Sequence, residues 1–195
     1  MQKIKLRRRF FAQPTLQVAQ KLLGKYLVLR QNGTMLSGKI VETEAYIGKD
    51  DPASHAFGRI TPRNQIMYGP PGFAYIYFIY GNYFCLNFVT EKEGFPAAVL
   101  IRAMEPMDGI EKMLRNRGSV TPENLTNGPG KLCQALGIDK KFNGQDIISN
   151  SLFVEDRNEK VDRIESSARI GVREGNDKKW RFYIAKNSYV SKIRS

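Results

Sequence analysis

Phe73-Ala-Tyr-Ile-Tyr-Phe-Ile-Tyr80, then Gly81-Asn82, then Tyr83-Phe-Cys-Leu-Asn-Phe-Val89 reads as two apolar, aromatic-rich runs around a turn pair. Runs of this length and composition are strand-like, and the Gly-Asn pair between them predicts a tight antiparallel hairpin with a two-residue loop. Eight of the sixteen residues from Phe73 to Phe88 are aromatic, four of them tyrosines. Phe78, Phe84 and Phe88 read as core. Tyrosines gathered at a hairpin tip are harder to explain by packing, and an aromatic prow can enter a base stack while tyrosines lower down sandwich an extruded base.

Outward from the hairpin, Tyr26 to Arg30 is strand-like and Gln31-Asn32-Gly33 is a turn leading into a second strand, roughly Gly38 to Ile47. The two-residue period of that strand places Ile40, Glu42, Glu44 and Tyr46 on one face. Gly48 to Gly72 is rich in Gly, Pro, Asp, Arg and Asn, a long loop of the kind that carries function. Further strands are expected at Ala97 to Ala103, Ser151 to Glu155, Ala168 to Val172 and Trp180 to Ala185. Helices are expected from Thr15 towards Gly24, through Ile110, Met113 and Leu114 up to Gly118, and from Gly130 to Leu136. Strands in succession with helices inserted irregularly predict an α+β fold. The expected form is a single domain over 1–195: a curved, open-barrel-like antiparallel sheet with peripheral helices and a protruding aromatic hairpin.

The chain has 195 residues, with 31 Lys and Arg against 19 Asp and Glu, a formal net charge of +12. The first acidic residue is Glu42, and Lys3, Lys5, Arg7, Arg8 and Arg9 precede it. Such a balance suits a polyanion, although charge alone does not separate a nucleic-acid enzyme from a binding module or an anionic-membrane binder. No apolar run has the length of a membrane span, and no signal-peptide segment follows the basic N-terminus, which points to the cytoplasm. Cys85 and Cys133 make no disulfide framework, and with the single histidine, His55, they make no zinc cluster. No Walker loop or dinucleotide fingerprint is present, and no cofactor is expected.

Glu44 and Tyr46 share a strand face, with His55 nine residues beyond Tyr46, so a carboxylate and stacking groups lie in one short segment. A glycosidic bond breaks through an oxocarbenium-like sugar, which a carboxylate can stabilise while it orients water. Glu42 competes for that role, and glutamates on a strand face are also commonly solvated. Glu42, Glu44, Asp50, Asp51 and His55 could alternatively bind a divalent ion in a nuclease. A non-catalytic DNA-binding module would use the basic surface and the aromatic hairpin but not Glu44. A bifunctional glycosylase-lyase would need an amine nucleophile, and Lys39 and Lys49 flank the segment.

Lys39-Ile-Val-Glu-Thr-Glu-Ala-Tyr46, His55, Thr61-Pro-Arg-Asn64, Tyr75 through Cys85, Leu100-Ile-Arg-Ala-Met-Glu-Pro106 and Gly128-Pro-Gly-Lys-Leu-Cys-Gln-Ala-Leu136 together resemble the alkyladenine (3-methyladenine) DNA glycosylase family. The similarity runs from Arg9-Phe-Phe11 to Arg181-Phe-Tyr183. It implies a monofunctional enzyme that flips alkylated or deaminated purines from duplex DNA: 3-methyladenine, 7-methylguanine, hypoxanthine or ethenoadenine. By the resemblance Glu44 is the catalytic base, with Glu42 in support, and Arg102 and the main chain at Ile170 help to hold the nucleophilic water. Tyr46 stacks on one side of the flipped base and His55 and Tyr77 on the other, Asn87 lines the pocket and discourages guanine, and Tyr80 fills the vacated stack. Asn82, Arg59, Arg63 and Lys131 are further expected DNA contacts. Asn82 stands at the tip in place of an apolar residue, and Ile170 where valine is frequent. Damaged double-stranded DNA is the expected partner of a monomer, with no metal and no membrane. A two-residue tip would put Tyr77 and Asn87 on opposite faces, whereas the resemblance sends both into the pocket; a bulge or a longer turn reconciles them.

Overall fold

The computed structural model describes residues 3–79 and 81–192. Among these residues nine strands form one sheet: β1 (Ile4–Lys5), β2 (Tyr26–Gln31), β3 (Thr34–Ile47), β4 (Ala74–Ile79), β5 (Tyr83–Val89), β6 (Ala97–Pro106), β7 (Leu152–Asp156), β8 (Ile164–Ser167) and β9 (Arg181–Ile184). Four helices accompany it: α1 (Arg8–Phe11), α2 (Thr15–Lys21), α3 (Ile110–Arg117) and α4 (Pro129–Leu136). The main strand order is β1-β7-β2-β3-β6-β5-β4, every pairing is antiparallel, and the two end strands do not pair with one another, so the sheet stays open. The expected α+β class with an open antiparallel sheet is what the chain adopts. No helix among the described residues is long and apolar enough to cross a membrane.

Strand β3 organises the molecule. It is launched by Asn32 and Gly33, both at positive φ (49° and 71°), as a two-residue loop between antiparallel strands requires. One edge of β3 pairs with β6 from Gly38 to Ile47; the other pairs first with β2, up to Lys39, and then with β9, from Glu42 to Glu44. The sheet therefore forks along β3, and the register with β6 slips around Glu42 at the fork. Residues 41 to 45 are buried on both faces because α2 covers one of them, where Thr43 Oγ1 donates to the Ala19 carbonyl at 2.9 Å. Phe11, Leu22, Leu27, Leu86, Ile101 and Leu132 belong to the shared core. Phe11 meets Phe88 edge-on at 5.8 Å, and each such buried side chain contributes about 1.5–3 kcal/mol.

The hairpin departs from its expected register. Tyr75 pairs with Asn87, Tyr77 with Cys85 and Ile79 with Tyr83, so three residues rather than two connect β4 to β5. Asn82 N–H returns to the Ile79 carbonyl at 3.3 Å, and Gly81 takes φ +70°. This register places Tyr75, Tyr77, Ile79, Tyr83, Cys85 and Asn87 on one face, and the longer turn is what brings Tyr77 and Asn87 together. Tyr80 lies outside the described residues. Phe88 is core as expected, but Phe78 is 50% exposed against Phe84, because β6 pairs with β5 only along Asn87–Val89 and the hairpin runs beyond it.

Residues 168–172 do not form the expected strand; β8 ends at Ser167. Arg169 instead donates to the Ala45 and Gly175 carbonyls, Ile170 N–H bonds a side chain, and Gly171 is at φ +76°, all of which take the segment off the ladder. Strand β1 and helix α1 are too short for a periodicity to announce them.

Candidate active site

Glu42 and Glu44, both on β3, have no solvent exposure. Buried carboxylates need cationic or donor partners, and Arg102 on β6 serves both: its Nε is 3.0 Å from Glu42 Oε1 and its Nη1 is 3.2 Å from Glu44 Oε2. Burial alone would lower the Arg102 guanidinium, but the charges of Glu44 and Glu42 outweigh it and hold the pKa above its ordinary value. Glu42 also accepts from Arg181 Nε at 2.6 Å and from the Ser191 N–H at 2.7 Å, so protein groups satisfy both of its oxygens. Glu44 Oε1 accepts the Ile170 N–H at 2.7 Å, and its Oε2 accepts the Tyr46 hydroxyl at 2.8 Å. Burial, followed by the Glu44 charge, raises the Tyr46 phenol well above its usual range and keeps it a donor.

Above this floor opens a cavity of about 540 Å³, within the span of small-molecule sites. Tyr46, His55, Tyr77, Asn87, Arg102 and Ile170 all line it, so the structure brings these six expected site residues together; Glu44 lies just beneath its wall. The His55 and Tyr77 rings are 4.4 Å apart and nearly perpendicular. His55 Nδ1 lies 2.8 Å from the Tyr75 hydroxyl. The residue as a whole is exposed at the rim, yet its ring edge is packed among tyrosines; this desolvation, and then the Arg63 charge, lowers its pKa from 6.5 to about 4. Burial pushes Tyr75 up to about 12, against the opposing effect of Arg63, so a protonated phenol faces a neutral imidazole. Asn87 donates to the Tyr75 and Cys85 carbonyls at 3.0 and 3.4 Å, which fixes its side chain against the hairpin.

The Thr61-Pro-Arg-Asn64 segment has a local explanation. Asn64 is buried, donates to the His55 and Arg59 carbonyls at 2.6 and 2.9 Å and accepts the Thr61 N–H at 2.7 Å, closing the loop that presents His55. Arg63 is exposed on the same loop and lies over the Tyr77 ring at 5.7 Å without itself lining the cavity. Lys131, in the first turn of α4, lines the mouth and donates to Asn127 Oδ1 at 2.7 Å. Arg59 and Asn82 are exposed, one on the long loop and the other at the hairpin tip, and neither lines the cavity.

Sequence reasoning missed Tyr75, Tyr83, Asn64, Arg181 and the Asp51–Arg169 pair. Tyr75 and Tyr83 were reachable from the strand period once the hairpin register was known; the arginine pairings were not. The acidic group considered for a divalent ion is dispersed, because Asp51 is bound bidentately by Arg169 at 2.6 and 2.8 Å and Glu42 by Arg102 and Arg181. Among the described residues no three His, Cys, Asp or Glu side chains gather where a metal ion could sit.

Comparison with known proteins adds an independent finding. Residues 9–188 match the family model described as methylpurine-DNA glycosylase (MPG). A protein of Alkaliphilus oremlandii is 47% identical, with the alignment covering 97% of this chain and all of the relative. Relatives from Clostridium tetani and Prosthecochloris aestuarii are 48% and 49% identical, covering 97% and 95% of this chain and 100% and 90% of their own. All three carry the name "Putative 3-methyladenine DNA glycosylase".

Proposed function

The chain belongs to the methylpurine-DNA glycosylase family, and on that premise we propose that it excises alkylated or deaminated purines from duplex DNA by Glu44-directed hydrolysis, without lyase chemistry. The observation that carries this reading is the placement of Glu44. A carboxylate has about four acceptor positions. Three donors, Ile170 N–H, Tyr46 O–H and Arg102, converge on it, which leaves one position for a hydrogen of water. A residue kept only for DNA affinity would have no reason to be a carboxylate buried under an aromatic cavity.

In this mechanism the extruded base enters between Tyr46 and the His55–Tyr77 pair. His55 is neutral there and presents stacking area and one N–H rather than a charge. As the bond to the sugar lengthens, positive charge grows at C1′, and Glu44 stabilises it while taking a proton from the water that captures the sugar. Arg102 and the Ile170 main chain hold the carboxylate in register, and Glu42 with Arg181 holds Arg102. Arg63 and Lys131 at the rim meet phosphates. Tyr80 is assigned to the vacated stack on the resemblance alone. Lys39 is turned towards Glu105 and Glu159 at 3.1 and 3.6 Å, away from the cavity wall, which disfavours it as a lyase nucleophile.

The test is incubation of the protein with duplexes carrying hypoxanthine, ethenoadenine or 7-methylguanine, in excess EDTA, followed by detection of released base and by borohydride trapping. Free base without a trapped adduct is the expected result. Absence of release on every lesion sinks the proposal, and a covalent adduct sinks its monofunctional part.

A further inference from the structure

Behind the cavity wall stands a buried ion pair that the hydrolytic mechanism does not use. The Asp51 and Arg169 side chains are both fully buried, and they join bidentately at 2.6 and 2.8 Å. The guanidinium also donates to the Ala45 carbonyl at 3.0 Å and to the Gly175 carbonyl at 3.1 Å, and it lies over the rings of Tyr46 at 4.8 Å and Trp180 at 5.2 Å. Tyr46 lines the cavity, whereas Asp51 and Arg169 are sealed from it. The cation is therefore applied to Tyr46 from within the protein and not from the cavity space.

This arrangement bears on which lesions the site can take. A 7-methylguanine nucleotide carries a positive charge on its base, and the face of a tyrosine attracts cations. Hypoxanthine is neutral and departs with developing negative charge. A van der Waals spacing of about 3.5 Å beyond the Tyr46 ring puts a stacked base roughly 8 Å from the Arg169 guanidinium. At that distance an unbalanced arginine would repel a cationic lesion and favour departure of an anionic leaving group. With Asp51 bound to both of its terminal nitrogens, the buried pair itself presents almost no net charge; Lys178 Nζ, 4.0 Å from Asp51 Oδ1 and over the Trp180 ring at 4.3 Å, is a further cation on the solvent side of the pair, is screened there, and is common to every variant compared below.

We propose that Asp51 and Arg169 form a charge-neutral buttress behind Tyr46 that sets the enzyme's preference between cationic and neutral purine lesions, with Asp51 the residue that keeps the site open to cationic ones. This rests on the reading of the cavity as the lesion pocket. Neither residue touches the base; both act through Tyr46 and through the field they project into the pocket.

The experiment measures single-turnover kcat/KM for 7-methylguanine and hypoxanthine in the same duplex, for wild type, Asp51→Asn, Arg169→Gln and the double variant. The readout is the ratio of the two lesions, so that a loss common to both cancels. Asp51→Asn leaves the Arg169 charge uncompensated and is expected to lower the 7-methylguanine to hypoxanthine ratio on the order of tenfold, for unit charges about 8 Å apart at an effective dielectric of about 20. Arg169→Gln leaves the opposite charge and is expected to move the ratio the other way. The double variant, neutral again, is expected to restore it. If Asp51→Asn does not fold, Arg169→Gln and the double variant carry the test. A purely structural role moves both lesions together, so an unchanged ratio in the single variants, or a shift that persists in the double variant, overturns the proposal. Failure of the wild type to release either base would instead overturn the lesion-pocket reading.

Discussion

Glu44→Gln and Glu42→Gln should separate chemistry from stability, because the two carboxylates face different partners. At position 44 three donors converge. A glutamine there offers one acceptor oxygen; turned towards Tyr46 and Arg102, it leaves its NH2 facing the Ile170 N–H. One buried donor is left unmet, at about 1–3 kcal/mol. For a chain of this length that lowers Tm by about 5 °C. At position 42 the substitution removes the anion that faces both Arg102 and Arg181. Breaking a buried pair in this way costs about 3–5 kcal/mol, or roughly 10 °C in Tm. Catalysis is expected to run in the reverse order. Loss of the base at 44 lowers single-turnover release of hypoxanthine by about 10²–10⁴-fold while binding of the same duplex survives; the folded fraction of the position-42 variant retains more of its rate than the position-44 variant does. The measurements are thermal unfolding, duplex binding, and base release with enzyme in excess. A folded Glu44→Gln protein releasing hypoxanthine within tenfold of wild type would refute the mechanism, and a smaller Tm loss at 42 than at 44 would refute the account of the arginine network.

Three further outcomes are expected. With its pKa near 4, His55 should stay neutral from pH 5 upward, so an NMR titration should show no protonation of this single histidine near pH 6.5. Its folded pKa lies below the unfolded value, so the unfolded chain binds the extra proton between about pH 6.5 and 4, and the His55 contribution to stability falls as pH drops through that window; a histidine titrating at its ordinary value would contradict the packing described. Gly130→Ala places a methyl 2.8–2.9 Å from the Tyr83 side chain, forcing the hairpin away from α4, and should cost about 1–3 kcal/mol and weaken lesion binding; unchanged Tm and affinity would show that the contact relaxes freely. Given the +12 net charge, nonspecific DNA affinity should fall steeply with salt through counterion release, and a flat plot of log K against log salt would remove the proposed DNA surface.

What could be read from the sequence follows from which interactions have a period. The strand of Glu44 and Tyr46 was legible because alternation is set by the backbone, and Asn32-Gly33 was legible because few pairs tolerate two positive φ angles in succession. The Gly81-Asn82 tip was misread by one residue. Turn composition marks where a chain reverses, but a single-residue difference in loop length turns a whole strand over. The conflict between Tyr77 and Asn87 was itself the signal, since two residues assigned to one pocket must share a face, and only the longer loop allows it. Residues 168–172 were misread for another reason. Their alternation looks strand-like, but the Ile170 N–H goes to the Glu44 carboxylate and the Arg169 side chain to the Ala45 carbonyl instead of a ladder forming, and no local pattern reports that.

Charge pairing has no period at all. Asp51, Glu44 and Glu42 meet partners 118, 126 and 139 residues further along the chain, through Arg169, the Ile170 N–H and Arg181. From the first third of the sequence those acids looked as well suited to a divalent ion as to hydrolysis, because a carboxylate cluster without its counter-charges is ambiguous. Desolvation removes the ambiguity, since three buried carboxylates within one strand and its following loop can persist only if cations are buried with them. Among the described residues, Arg102, Arg169 and Arg181 are the buried arginines. The same balance that lets β3 sink into the protein therefore fixes the charge of the pocket above it, and of those acids Glu44 is the one held by three residues of the cavity wall, Tyr46, Arg102 and Ile170.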